Sequence, residues 1–108
     1  MATGNVLAEG NLDKLKIIGP IGFNPASVGA NTTSEQFLTV PGILPGDAVW
    51  CFKINHDTGL GIVNARASAT TPNTVAVTFA NCTASPIDAA SQNFWFVVFR
   101  PDAGLTAF

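Results

Sequence analysis

Charge is what this chain has least of. Twelve of its 108 side chains ionise, five Lys/Arg and seven Asp/Glu, while 47% of the residues are hydrophobic. A free-standing small domain normally carries about 25–35% charged residues on its surface. A chain of this mass exposes roughly 5,700 Å² when folded, and twelve charges cover that thinly. The shortage points to a subunit that buries much of its surface against other proteins.

Other absences narrow the reading. The unbroken apolar runs fall far short of the ~20 residues that cross a bilayer as a helix, so no membrane partner is expected. Residues Met1 to Glu9 lack the basic flank and apolar centre of a secretory signal, which implies folding in a cytoplasm. The formal charge is −2 and the five basic residues are scattered, apart from Lys14 and Lys16. That is not the basic footprint of a nucleic-acid binder. Cys51 and Cys82 fit neither a CxxC nor a zinc spacing, and a reducing compartment keeps them as thiols. Cys51, between Trp50 and Phe52, reads as a small buried hydrophobe.

Chemistry is equally sparse. The single histidine, His56, stands beside Asp57 in a loop, with no nucleophile placed for a triad and no third ligand for a metal. The ten glycines never form GxGxxG or GxxxxGK, the patterns that cradle phosphates. No catalytic residue, metal or cofactor is expected, and the chain does not read as an enzyme. Asn31-Thr32-Thr33 and Asn81-Cys82-Thr83 match the glycosylation sequon, which carries no weight without secretion.

What is present is strand pattern. Thr74 to Ala80 alternates cleanly, with Val75, Val77 and Phe79 on one face, as a half-buried antiparallel strand does. Phe94 to Phe99 is apolar at every position and reads as a central strand covered on both sides. Asp47 to Ile54 puts Trp50, Phe52 and Ile54 on one face and Val49, Cys51 and Lys53 on the other. Trp50 and Trp95 are expected in the core. Leu60 to Ala69 aligns Gly61, Val63, Ala65, Ala67 and Ala69 as a face of small groups. Leu15 to Ile21 is a strand interrupted by Gly19-Pro20, and proline confines it to an edge or a bulge. Gln36 to Val40 completes the set.

The connections carry turn chemistry. Pro41-Gly42 and Pro45-Gly46 suit the central pair of a type II turn, and Thr71-Pro72-Asn73 a type I turn. Asn55 to Gly59 is a hairpin-closing loop. Gly22 to Thr33 is a long loop holding Phe23 and Val28. Asn81 to Asn93 is long enough to change sheets, with a single helical turn expected near Ile87 to Gln92.

Six strands and no long helix predict an all-β fold, a small antiparallel β-sandwich of jelly-roll-like or Greek-key type. The expected division is an extended N-terminal arm over residues 1–13, the sandwich over 14–101, and a tail over 102–108. Apolar groups outside the strand pattern are the partner-binding candidates: Val6, Leu7 and Leu12 in the arm, Phe23 in the loop, Leu105 and Phe108 in the tail.

From Pro45 to Pro101 the chain reads PGDAVWCFKINHDTGLGIVNARASATTPNTVAVTFANCTASPIDAASQNFWFVVFRP. The PGD turn, GLGIVNARASA, NTVAVTFANCTASPID and the apolar strand ending in Arg-Pro resemble small head decoration (cement) proteins of tailed bacteriophages. The resemblance implies a non-enzymatic virion protein on the capsid exterior. It further implies the major capsid protein and other copies of this chain, as homodimer or homotrimer, as partners. The alternative is a fibre or receptor-binding module that recognises a host glycan. Exposed loop aromatics and a stalk would mark that module, and neither is expected.

Overall fold

The computed structural model describes residues 12–101, with side chains from residue 14 onward. Six strands follow in chain order: β1 (Leu12–Phe23), β2 (Thr32–Thr39), β3 (Ala48–Lys53), β4 (Leu60–Ala67), β5 (Thr74–Asn81) and β6 (Gln92–Pro101). They form two antiparallel three-stranded sheets, ordered β1-β6-β3 and β2-β5-β4. The chain is all-β, as expected, and no helix occurs among the described residues. The turn expected near Ile87 is instead extended. Val28 and Ile87 exchange backbone hydrogen bonds of 2.8 and 3.0 Å, which pin the β1–β2 and β5–β6 loops together.

The inner faces of the two sheets close over one core. Phe94, Phe96 and Val98 of β6 face Val75, Val77 and Phe79 of β5, and all six are fully buried. Phe79 meets Phe94 edge-on, centroids 6.1 Å apart, a favoured geometry for aromatic pairs. Val40 and Ile43 close one end of the core. The two Pro-Gly turns behave as predicted, with Gly42 at φ 97° and Gly46 at φ 94°, values that glycine adopts without steric cost. Asn73 departs from the type I expectation, since its φ is 59°.

β4–β5 is the single hairpin within a sheet among the described residues; the other connections pass from one sheet to the other. The Asn55–Gly59 loop therefore does not close a hydrogen-bonded hairpin. β3 and β4 run side by side as two unpaired edges, with a cleft of about 160 Å³ bordered by Val49, Cys51, Ile62 and Ala65. The long β5–β6 connection changes sheets as predicted.

Two polar groups tie the ends. Arg100 Nε and Nη2 donate to the two carboxylate oxygens of Asp47 at 2.8 and 2.9 Å, and Nη2 also donates to Gly42 O at 2.9 Å. This latch fastens the end of β6 to the double turn before β3. At the opposite end, Asn81 is 2% exposed. Its Nδ2 donates to Val28 O and Ser85 O, and its Oδ1 accepts from Thr83. That sequon asparagine is a buried structural hub.

The candidate interaction surface

The outward face of the β1-β6-β3 sheet is built by register. Leu15, Phe99 and Ala48 form one cross-strand row, and Ile17, Val97 and Trp50 the next. Trp95 and Phe52 form a third, where β1 bulges through Gly19-Pro20. In an antiparallel pair, directly opposed residues share a face, so these rows are contiguous. They stand in water: Ile17 is 64% exposed, Trp50 68%, Leu15 44% and Phe52 41%, and Ile54 just beyond β3 reaches 81%. The charged side chains described on these strands, Lys14, Lys16, Lys53 and Arg100, oppose Arg100, Val98, Phe94 and Lys14 and leave from the other face.

This overturns the core assignment of Trp50. The pattern in β3 was expected to bury its larger face, but the smaller one, Val49 and Cys51, turns inward. The reason lies in the pairing with β6: Val49 opposes Val98 and Cys51 opposes Phe96, both fully buried, so the alternate residues Trp50 and Phe52 share the outer face with Val97 and Trp95. β6 is central, as read, but covered on one face only; Trp95, Val97 and Phe99 remain half-exposed. Trp95 lies against Gly19 of β1, where an added Cβ would stand 2.6 Å from the ring. Glycine there leaves the space the indole occupies.

The outer face of the other sheet differs. Glu35 and Arg66 pair across it in two hydrogen bonds of 3.0 and 3.1 Å, and threonines flank them. One large apolar side chain of β2, Phe37, is exposed there. In β4 a register shift between Ile62 and Asn64 breaks the expected face of small groups. Ile62 and Ala65 turn inward and Val63 outward, because a bulge adds one residue to the alternation.

The candidates named from sequence fall elsewhere. Phe23 is the last residue of β1, not a loop residue. Its ring meets Phe94 edge-on at 6.1 Å, so it is half-buried at the core margin. Val6, Leu7, Leu105 and Phe108 lie outside the described residues, as does the side chain of Leu12. Sequence reading missed Ile17, Trp50 and Phe52. The signal that could have found them is the lack of any charge from Phe94 to Phe99 on either face of β6, which leaves one face of its sheet without a polar exterior.

A second concavity, about 440 Å³, opens at the end of this sheet. Trp95, Asn55, Ser91, Gln92 and Asn93 line it. Gln92 Nε2 donates to Asp57 and to Ala90 O, while its buried Oε1 receives no hydrogen bond among the described residues. Asp57 is also ion-paired with Lys53, and that pairing, with Gln92, lowers its carboxyl below the usual value. His56 is exposed beside it. Burial pushes the Cys51 thiol up to about 12. Among the described residues no three His, Cys, Asp or Glu side chains cluster as metal ligands. No protein family, curated protein or solved structure matches the chain.

Proposed function

We propose that this protein is a virion structural subunit that decorates and stabilises a bacteriophage capsid by binding the outer surface of the major capsid lattice. The observation that carries this reading is the charge-free aromatic face of the β1-β6-β3 sheet. An exposed apolar patch of that extent belongs to a protein that lies against protein. The resemblance of Pro45 to Pro101 supplies the kind of assembly, and it spans β3 to β6, the strands that build most of both sheets. On a repeating lattice, avidity offsets modest single contacts. The test is co-sedimentation with expanded heads prepared without this protein. Saturable binding at a fixed number of copies per head is expected. A folded chain that stays in the supernatant refutes the reading.

The cleft lined by Trp95, Asn55, Ser91, Gln92 and Asn93 favours a second reading, a module that recognises a host surface glycan. An indole face beside amide and hydroxyl groups offers apolar contact and directional hydrogen bonds together. Binding to a glycan array that is lost in Trp95→Ala would establish it. A blank array removes it.

A further inference from the structure

We infer that the outward face of the β1-β6-β3 sheet is covered by the same face of a second copy of this chain, sheet against sheet about a two-fold axis. This rests on the proposed function only in taking the face to be covered by protein. The argument for a second copy has three parts.

The first is area. Leu15, Ile17, Trp50, Phe52 and Ile54 are 44, 64, 68, 41 and 81% exposed, which amounts to about 600 Å² at ~200 Å² per large side chain. Two such faces bury about 1,200 Å², the lower bound of a specific stable interface. A single face is as large as the largest apolar patch normally left on a monomer, about 300–600 Å².

The second is charge. None of the described side chains on this face carries any. Such a surface gives no electrostatic register to a foreign partner. A two-fold axis, in contrast, sets each apolar row against an apolar row of the copy and brings no like charges together.

The third is shape. The three rows lie on one pleated layer, and layers of this kind pack face to face at about 10 Å. The other outer face is closed to such packing by the Glu35–Arg66 pair, whose charges would have to be desolvated.

The test is sedimentation velocity on the full chain across a hundredfold range of concentration. The wild type is expected at twice its 11.2 kDa mass. Trp50→Glu and Ile17→Lys, both at exposed positions, should keep a cooperative melt and β circular dichroism yet weaken the dimer by about 30-fold or more. Phe37→Glu, on the opposite sheet, should leave it unchanged. A wild type that stays monomeric overturns the inference, as does a trimer, or a dimer indifferent to both substitutions. Head co-sedimentation on the same samples separates the two ideas. Monomers that bind heads remove the pairing and leave the decoration role, and dimers that ignore heads do the reverse.

Discussion

Arg100→Met removes the guanidinium from the latch while keeping most of the side-chain length. The Arg100 side chain is 19% exposed and the Asp47 side chain 2%. After the change, the Asp47 carboxylate keeps the Leu44 backbone N–H at 2.9 Å and loses both Arg100 donors. Breaking a buried pair from one side costs about 3–5 kcal/mol. Water reaching the vacated space puts the loss near the lower end, about 3 kcal/mol. For a domain of this size, that lowers Tm by about 12 °C.

The pH dependence identifies the cause. The Arg100 hydrogen bonds hold the Asp47 carboxyl below its ordinary 3.8, against the opposing effect of burial. A depressed folded pKa contributes stability that is complete above the unfolded value and disappears as pH falls through the folded one. The wild type therefore loses this contribution below about pH 4. In Arg100→Met the burial that raises the pKa is no longer opposed by the guanidinium, so protonation no longer sacrifices an ion pair. The stability gap between the two proteins should be widest near pH 7 and narrow toward pH 3. Urea titrations at one fixed protein concentration measure it, since self-association makes stability concentration-dependent. Asp47→Ala alone should cost about 2 kcal/mol, and the double variant should fall short of the sum by at least ~1 kcal/mol. A gap below ~1 kcal/mol at pH 7, or one that stays constant to pH 3, refutes the reasoning.

Two further outcomes follow from local geometry. In native protein, Ellman's reagent should label exposed Cys82 promptly and Cys51 only on unfolding, because a thiol at about 12 is ionised in about one molecule in ten thousand at pH 8; equal rates for both would contradict the burial. Gly19→Ala should push the Trp95 ring off β1, its built Cβ lying 2.6 and 2.8 Å from two ring carbons. A loss of about 1–3 kcal/mol with a shift in tryptophan fluorescence is expected, and an unchanged spectrum would mean the ring does not rest there.

Much of the fold was legible. The alternation of Val75, Val77 and Phe79 names its buried face because the intervening residues are small or polar, and the structure buries all three. Gly19-Pro20 confined its strand to an edge or a bulge, and β1 is an edge with a register shift there. The Pro-Gly pairs fixed their turns through backbone sterics that need no tertiary context. The candidate surface was not legible. Both faces of β3 from Val49 to Phe52 and of β6 from Phe94 to Phe99 are apolar, so alternation identifies two faces without saying which is inside.

The amino-acid sequence by itself determined the class of this protein: six strands, the two Pro-Gly turns and a charge content too low for an ordinary surface. Those properties are local, since strand periodicity, turn stereochemistry and composition act within a few residues. Only the tertiary structure decided where the excess apolar surface lies. The register of β3 on β6 set Val49 and Cys51 beside the buried Val98 and Phe96, and so turned Trp50 and Phe52 outward beside Ile17 and Leu15. That choice depends on the pairing of strands distant in the chain, which no single segment encodes.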